Sequence, residues 1–280
     1  MIDFQVETLI RYALAEDIGS GDVTTQAVIP EEAGGRARII AKEPLVVAGT
    51  QVARRVFLLV DPFLKVGIPQ QDGSHARPGA ILVEVSGGVS AMLVAERTAV
   101  NFLQRLSGIA TLTRAFVDRV AGTSARIVDT RKTTPGWRLL EKAAVRAGGG
   151  CNHRFGLYDG VLIKDNHIAA VGGVGPAVAA LRRKIPHTLK IEVEVETLDQ
   201  LAEAIAVGAD AVLLDNMAPA AILEAVRRAG GRVTLEASGG ISLDNVKEVA
   251  ETGVDLISVG ALTHSARAVD ISMEVDPVRV

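Results

Sequence analysis

The sequence has a single cysteine, few aromatic residues and no long apolar run. Cys151 cannot form an internal disulfide and suits a reducing compartment, so a cytoplasmic protein is expected. No run of about 18 apolar residues is present, and the first residues have no basic start followed by an apolar block. Neither a membrane span nor a secretory signal is therefore expected. Aromatic residues make up 3% of the chain and the net charge is −3, which argues against a nucleic-acid-binding protein.

The sequence does have enough apolar residues for a sizeable core. The chain has 280 residues, of which 48% are hydrophobic and 22% are charged. A chain of this length buries roughly three quarters of its unfolded surface, in one large domain or two unequal ones. Because aromatics are scarce, alanine and branched aliphatic residues must fill the core, as is typical of α/β proteins.

Residues 1–112 have the pattern of an N-terminal α+β sandwich-like domain. An amphipathic helix is predicted over Ile2–Glu16, and Gly19 and Gly21 are predicted to end it before a polar turn around Asp22. The strands predicted after this turn are Ala37–Ala41, Val46–Ala48 and Ile81–Val85. The predicted helices among them are Thr50–Leu59 and a long one from Ala91 to Val120.

Residues 113–280 are predicted to form an incomplete (β/α) TIM-like barrel, the catalytic domain. From about Ala125, short apolar runs alternate with helical segments, which indicates parallel strands joined by crossover helices. An open doubly wound sheet is the alternative, but no GxGxxG follows the first run. The runs are Ile127–Val128, Val161–Ile163, Ile191–Val195, Ala211–Leu214, Val233–Leu235 and Leu256–Val259. The helices are Pro176–Arg183, Leu198–Val207, Pro219–Ala229 and Leu243–Glu251. Whether the last residues pack back on the first domain is left open.

Polar and charged residues stand where these runs end. They are Asp129–Lys132, Lys164–His167, Glu194 and Glu196, Asp215–Asn216, Glu236 with Ser238–Gly240, and Gly260. The catalytic face of a (β/α) barrel lies at the carboxyl ends of its strands. A purely structural sheet has no need of carboxylates and lysines there, so the pattern favours a barrel with its active site at this face.

The stretch from Asp129 to Ile168 concentrates positive charge. It carries seven Lys or Arg residues and four Asp or Glu residues, a net charge of +3 in a chain whose net charge is −3. This contrast indicates a site for a small polyanion. Arg131, Arg154 and Lys164 follow strands or glycines, where binding groups concentrate.

A helix is predicted inside this stretch, with a start at Pro135 and a stop at Gly148. Leu139 and Ala143 are predicted to face inward. The three cations at a spacing of four are predicted to form a solvated helix face. These cations are Arg138, Lys142 and Arg146.

Two carboxylates and two glycine turns complete the predicted mouth of the barrel. Glu194 and Asp215 come from successive strands and could serve as acids or bases, ribose-hydroxyl acceptors or Mg²⁺ anchors. The alternative interpretation is a structural ion-pair network between the glutamates of one strand and nearby cations. The glutamates are Glu192, Glu194 and Glu196, and their candidate partners are Lys164, Lys190 and Arg131. The turns at Ser238–Gly240 and Val259–Ala261 follow the last two strands, where such loops present backbone N–H groups to a phosphate.

No residue has the pattern of an activated nucleophile. Cys151 is predicted to be a small packing residue, and the five histidines lack metal-ligand spacing. The chemistry is therefore expected to depend on positioning and charge stabilisation rather than on covalent catalysis.

The motifs resemble the quinolinate phosphoribosyltransferases, also called nicotinate-nucleotide pyrophosphorylases (carboxylating), over nearly the whole chain. The DTRKTTPG and NHR…KDNH blocks, spanning residues 129–167, are the most specific. The other matching segments are EDIGSGDVTT, ERTAVNFLQRLSGIAT, EVEVE, LLDN, EASGGI and VGALTHSARAVDISM.

The resemblance implies that quinolinate and phosphoribosyl pyrophosphate, with Mg²⁺, give nicotinate mononucleotide, CO₂ and pyrophosphate, a step of NAD biosynthesis. It implies a homodimer with shared active sites and leaves a higher oligomer open. Thr130, Arg131, His153 and Arg154 resemble the quinolinate clamp, and Arg97 the residue lent by the partner subunit. Lys132 and Lys164 resemble cations that serve catalysis and both substrates. Glu194 and Asp215 resemble acceptors for the ribose hydroxyls and, indirectly, the metal. The 5′-phosphate cradle is matched by Ser238, Gly239, Gly240, Val259, Gly260, Ala261 and His264.

Three other functions are weighed against this one. Lys164 at a strand end could form a Schiff base, as in barrel aldolases. A related family encoded with molybdate transport shares a TRKT-like block, but it is expected to lack the KDNH block and the full NHR clamp. A non-catalytic binding protein would bind quinolinate and release no CO₂.

Overall fold

The computed structural model of the chain describes residues 4–276. Its helices are α1 Phe4–Ile18, α2 Val23–Val28, α3 Thr50–Val60, α4 Val89–Arg119, α5 Arg138–Ala147, α6 Asp165–Val171, α7 Val174–Arg182, α8 Leu198–Ala206, α9 Pro219–Ala229, α10 Val246–Glu251 and α11 Ala261–His264. Its strands are β1 Gly34–Ala41, β2 Leu45–Val46, β3 Lys65–Gly67, β4 His75–Ala76, β5 Ile81–Gly88, β6 Arg126–Val128, β7 Val161–Ile163, β8 Ile191–Val195, β9 Ala211–Asp215, β10 Thr234–Ser238, β11 Leu256–Ser258 and β12 Ile271–Val275.

The chain forms two compact units that alternate along the sequence. The first contains the residues up to Arg114, Thr133–Gly149 and the residues from Ser265 onward. The second contains Ala115–Lys132 and Gly150–His264. The division into residues 1–112 and 113–280 stays a prediction.

The first unit contains a four-stranded antiparallel sheet in the order β12-β1-β5-β3, and a second ladder joins β2 to β4. The predicted strands and helices of residues 1–112 are present, whereas β3 and β4 were not predicted because each is only two or three residues long. The last residues up to 275 do form a strand of this sheet, since β12 pairs with β1. Residues 277–280 lie outside the described part.

The turn expected around Asp22 is instead the N-terminus of α2, where the Asp22 carboxylate accepts a hydrogen bond from the backbone N–H of Thr25.

Helix α5 differs from its prediction in its start and in its buried face. It begins at Arg138 rather than at Pro135, and Leu139 and Ala143 are only half-buried. The residues that face inward include Glu141 and Lys142, both 0% exposed, so the interpretation of Lys142 as part of a solvated face is wrong.

Polar contacts of Glu141 explain why α5 buries this face. The Glu141 carboxylate accepts hydrogen bonds from the Arg105 guanidinium (Nη2–Oε1 2.8 Å) and from the backbone and hydroxyl of Thr134 (3.0 and 2.8 Å). The Trp137 ring stacks on Phe102 with 4.7 Å between the centroids. These contacts fix the TTPG turn and the start of the helix, which hydrophobic spacing alone does not encode.

The second unit is an incomplete TIM-like barrel. Its six strands are all parallel, in the order β6-β11-β10-β9-β8-β7, and helices connect them. In the described residues β6 and β7 do not pair, so the sheet has two edges. Ile191, Val193, Val212 and Leu214 are 0% exposed, as expected for parallel strands buried on both faces. The predicted fold class is confirmed.

Two local details of this unit bear on the site. The prediction ended the fifth barrel strand at Leu235, but β10 continues to Ser238 and therefore contains Glu236. Helix α6, which begins directly after Lys164, was not predicted. Among the described residues, no helix is long and apolar enough to cross a membrane.

Candidate active site

A cavity of about 690 Å³ opens at the carboxyl ends of the barrel strands. Every predicted site residue of the second unit lines it. These residues are Thr130, Arg131, Lys132, His153, Arg154, Lys164, Glu194, Asp215, Ser238, Gly239, Gly240, Val259, Gly260, Ala261 and His264. Arg97 belongs to the first unit, where it is exposed on α4, and it does not line the cavity.

One side of the cavity is cationic and is fixed by a buried carboxylate. Asp129, at the end of β6, is 0% exposed and accepts hydrogen bonds from the Asn152 side chain (2.6 Å) and from the His153 backbone N–H (2.9 Å). These bonds place Arg154 beside the cavity, where its Nη1 donates to the carbonyl of Gly160 at 2.9 Å. Burial lowers the pKa of the Arg154 guanidinium, and the nearby positive charge of Arg131 lowers it further. Two neighbouring cations with partly desolvated charge favour a ligand with more than one negative group.

The opposite side carries carboxylates. Lys164 Nζ lies 2.8 Å from Glu194 Oε2, which joins the ends of β7 and β8. Asp215 ends β9 and accepts a hydrogen bond from the Asn216 side chain at 2.9 Å. The cavity that Glu194 and Asp215 line is also lined by Arg131 and Arg154, so the site has both signs of charge.

Two glycine turns border the cavity where side chains would obstruct it. Gly239 has φ +94°, and a Cβ there would lie 2.2 Å from Asn216 Oδ1. A Cβ on Gly260 would lie 3.0 Å from Lys132 Cδ and 3.1 Å from His264 Nε2. The missing side chains leave backbone exposed to the cavity, as phosphate-binding loops require.

The floor of the cavity contains an acidic pair around His153. The His153 Nε2 lies 2.9 Å from Glu192 Oε2 and 3.8 Å from Glu236 Oε2. Glu236 is 1% exposed, and neither of its carboxylate oxygens has a hydrogen-bond partner. Burial, followed by the negative charge of Glu192, raises the pKa of Glu236 from 4.5 to about 7.

The hydrogen bonds of His153 assign its tautomer. Its Nδ1 accepts a hydrogen bond from the Arg154 backbone N–H at 2.8 Å, so this nitrogen carries no proton. The proton of the neutral ring is then on Nε2, which donates it to Glu192. His153 is therefore an uncharged donor in this arrangement.

The donor sets of the site differ in their fit to a divalent metal. His153, Glu192 and Glu236 place three ligand atoms within 4.8 Å of one another, but an Nε2 that carries a proton has no lone pair for a metal. Glu194 and Asp215 offer hard carboxylate oxygens in the open mouth, which suits Mg²⁺ because this ion keeps several waters and uses one or two carboxylates. The mouth fits Mg²⁺ better than the floor.

Replacing Glu236 with glutamine is expected to remove a pH dependence of stability. Because the folded pKa is raised, the carboxyl group favours the folded chain fully below about pH 4.5, and this contribution is lost as the pH rises through about 7. A pKa shift from 4.5 to about 7 corresponds to about 3 kcal/mol. Relative to the wild type, the variant should therefore gain a free energy of unfolding of that order between low pH and pH 8. Urea unfolding at pH 5 and pH 8 measures this difference. Glu248→Gln, an exposed change on α10, is the matched control, and equal pH dependence in wild type and Glu236→Gln would contradict the prediction.

Several cavity residues were not among the predicted site residues, and Glu236 is the most informative of them. The predicted strand ended at Leu235, three residues before the observed end of β10 at Ser238, and Glu236 was placed only among the polar residues that follow the strand. The available signal was one carboxylate between Leu235 and Ala237 in an otherwise apolar run. Asn216 was listed among the polar strand-end residues but not among the site residues, and the structure shows that it is the one non-glycine residue of the described chain with positive φ (52°).

The chain is similar to known proteins over its whole length. Two family models match it: Quinolinate phosphoribosyl transferase, N-terminal domain, over residues 22–107, and the C-terminal domain of the same name over residues 109–274. A Bacillus subtilis protein named as a probable nicotinate-nucleotide pyrophosphorylase (carboxylating) is 45% identical over 275 residues, which cover 98% of this chain and 95% of that protein. The chloroplastic enzyme of that name from Arabidopsis thaliana is 42% identical over 292 residues, covering 98% and 83%.

Solved structures agree with the sequence relatives. The crystal structure of NadC from Streptococcus pyogenes superimposes with a TM-score of 0.96 at 41% identity and covers 100% of this chain and 99% of that one. The nicotinate-nucleotide pyrophosphorylase from Francisella tularensis gives a TM-score of 0.94 at 42% identity, with 99% and 98% covered. Because both domain models match and these relatives are similar over nearly the whole chain, the chain belongs to the quinolinate phosphoribosyltransferase family.

Proposed function

We propose that the chain transfers a phosphoribosyl group from phosphoribosyl pyrophosphate to quinolinate with decarboxylation, giving nicotinate mononucleotide, CO₂ and pyrophosphate in NAD biosynthesis. The observation that carries this proposal is that one cavity is lined both by guanidinium groups and by carboxylates with glycine turns. A pyridine diacid and a sugar phosphate need these two kinds of surface.

Arg131 and Arg154 are assigned to the two carboxylates of quinolinate. Planar guanidinium groups pair with carboxylates through two parallel hydrogen bonds, and a dianion offsets the mutual repulsion of two cations. Thr130, Lys132 and Lys164 lie at the same strand ends and complete the clamp. His153 shapes the floor as a neutral ring, since its proton is directed at Glu192.

Glu194 and Asp215 are assigned to the ribose. The quinolinate nitrogen has a free lone pair, so its attack on the sugar needs no strong base. Loss of pyrophosphate places positive charge on the ribose, as in other glycosyl transfers, and nearby carboxylates stabilise that charge. Glu194 and Asp215 are also the residues that would hold Mg²⁺, which when bound would neutralise charge on the departing pyrophosphate. Holding both substrates in one geometry could lower the barrier by about 7–11 kcal/mol.

The glycine turns are assigned to the 5′-phosphate. Backbone N–H groups of Ser238–Gly240 and Val259–Ala261 would donate to its oxygens, with His264 beside them.

Changing Gly239 to alanine is expected to weaken phosphoribosyl pyrophosphate binding about tenfold or more, because the new Cβ would meet Asn216 at 2.2 Å in a backbone with φ +94°. The affinity for phosphoribosyl pyrophosphate, measured by calorimetry, tests this. Gly122→Ala is the matched control, since Gly122 also has positive φ (+88°) but lies outside the cavity with no atom within 4 Å of the added Cβ. Wild-type affinity in the Gly239 variant would argue against a phosphate role for this turn.

A homodimer with shared sites is part of the proposal, because Arg97 is exposed on α4 and does not line the cavity of its own chain. A cytoplasmic location is also proposed, since the sole cysteine, Cys151, is a free thiol.

The deciding experiment supplies quinolinate labelled at the 2-carboxylate, together with phosphoribosyl pyrophosphate and Mg²⁺. Labelled CO₂ that depends on phosphoribosyl pyrophosphate is the expected result, and binding of quinolinate without CO₂ would favour a binding protein instead. A Schiff base on Lys164 is less well supported, because Lys164 is paired with Glu194 at 2.8 Å and a paired ammonium is a poor nucleophile. Borohydride trapping of a substrate adduct on Lys164 would favour the Schiff-base function over the proposed phosphoribosyl transfer.

A further inference from the structure

The floor of the cavity holds a carboxyl group that the reaction as described above does not use. Glu236 points from β10 into the cavity, is 1% exposed and has no hydrogen-bond partner for either oxygen. An ionised carboxylate in this position would be costly, because the loss of water and the negative charge of Glu192 outweigh the favourable effects of His153 and of the Ser258 hydroxyl. A buried carboxyl group kept beside a substrate cavity therefore suggests a chemical task.

The chemistry leaves one proton without a donor. When the 2-carboxylate leaves as CO₂, the electron pair of the broken C–C bond stays on C2 of the ring, and nicotinate mononucleotide carries a hydrogen at that position. Some group must place a proton on C2 after pyrophosphate has gone. The donor must lie beside the pyridine ring, which the proposed function places next to Arg131, Arg154 and His153.

The other cavity residues are poorly suited to this step. Arg131 and Arg154 hold their protons too strongly to donate them near neutral pH. The Nε2 proton of His153 is directed at Glu192, and Lys164 is paired with Glu194. Lys132 and His264 lie beside Gly260, at the glycine turn that is assigned to the 5′-phosphate. Serine and threonine hydroxyls are far weaker acids than a carboxyl group.

We infer that Glu236 is the acid that delivers this proton to C2. The inference rests on the proposed function. In the step, the C2–carboxylate bond breaks, CO₂ departs, the electron pair on C2 takes the Glu236 proton, and Glu236 becomes a carboxylate. The carboxylate regains a proton from solvent when the product leaves, so protons and electrons balance without any oxidant or reductant.

The groups around Glu236 support a carboxyl group that is protonated at rest and ionises only briefly. Glu192 on β8 and Asp129 at the end of β6 oppose a third negative charge, while the Ser258 hydroxyl on β11 favours it. His153 lies 3.8 Å away and its Nε2 proton is directed at Glu192, so it does not give Glu236 a full ion pair. A dianionic substrate bound nearby would make ionisation of Glu236 still less favourable.

The test separates the two chemical stages in a single turnover of the full chain. Glu236→Gln keeps the shape of the side chain and removes the acid. Pyrophosphate release should stay within about threefold of wild type, whereas CO₂ release and nicotinate mononucleotide formation should fall about 100-fold or more, the usual contribution of a general acid. Quinolinate mononucleotide should accumulate. Glu248→Gln, on the surface of α10, is the control and should behave as wild type.

Other outcomes overturn the inference in distinguishable ways. Product formation at the wild-type rate in Glu236→Gln would show that the proton comes from elsewhere. Equal loss of pyrophosphate and CO₂ release would assign Glu236 a structural role, and loss of a bound Mn²⁺ probe in the variant would assign it to a metal site. Absence of both products in the wild type would instead remove the proposed function itself.

A measurement on the unmodified protein guards against a variant that does not fold. The single-turnover rate of CO₂ release in the wild type should fall about tenfold for each pH unit above the ionisation of Glu236, while the rate of pyrophosphate release should not. A CO₂ rate that is flat between pH 6 and pH 9 would overturn the inference.

Discussion

Replacing Arg154 with alanine is expected to cost about 2–5 kcal/mol of quinolinate binding, the range for removing one partner of a buried, hydrogen-bonded charge pair. The dissociation constant should rise roughly 30- to 5,000-fold. Arg154 is already partly desolvated and lies near Arg131, so the free site holds unfavourable positive charge that a carboxylate would offset. Titration calorimetry with quinolinate alone measures the loss.

Two comparisons make the Arg154 result specific. Arg154→Lys keeps one charge but loses the planar pair of donors, so it should recover only part of the affinity. Arg182→Ala is the matched control, since Arg182 is an exposed arginine of the same unit, paired with Asp210 at 2.7 Å. Unchanged quinolinate affinity in Arg154→Ala would remove this residue from the clamp.

Mixing two inactive variants is expected to restore activity. Arg97→Ala and Lys164→Ala would each lose both sites of their own dimers, but a mixed dimer contains one site with neither change. Random exchange makes about half of the dimers mixed, each with one of two sites intact, so about a quarter of wild-type activity should return. The steady-state rate after partial unfolding and refolding of the mixture measures this recovery.

The complementation result has an internal control. Arg97→Ala mixed with a second sample of itself should stay inactive, which shows that recovery requires the second change on the other subunit. No recovery in the mixed sample, despite exchange of subunits shown by a mass tag, would mean that Arg97 and Lys164 do not meet across subunits.

The barrel and most of its site could be predicted because they depend on local patterns. A short apolar run followed by charged residues predicts both a strand and its functional end, and this places Arg131, Lys164, Glu194 and Asp215 around one cavity. The glycine turn at Gly239 could be predicted in the same way, because its glycines follow an apolar run. The structure explains why glycine is needed there: φ is positive, and the close approach to Asn216 leaves no room for a side chain. The functional ends of most barrel strands are thus readable from the sequence, although the end of β10 lies three residues beyond its predicted position.

The features that could not be predicted depend on contacts between distant residues. Lys142 has the spacing of a solvated cation, but it is fully buried because α5 is anchored by Arg105, which lies 36 residues from Glu141. The properties of Glu236 depend on Glu192 and His153, which reach it from other elements. The spacing of residues along a single helix or strand carries no information about either environment.

Strand β12 has a consequence for how the chain is made. Ala37 of β1 pairs with Val275 of β12, so one edge of the sheet of the first unit stays open until the residues of β12 have left the ribosome. Pairings that distant in sequence close slowly, and an unfinished edge is prone to joining the wrong strand. A nascent chain halted near residue 264 is therefore expected to contain every residue of the barrel, while the sheet of the first unit still lacks its last strand. This order is the reverse of the usual one, in which the domain that is translated first also folds first.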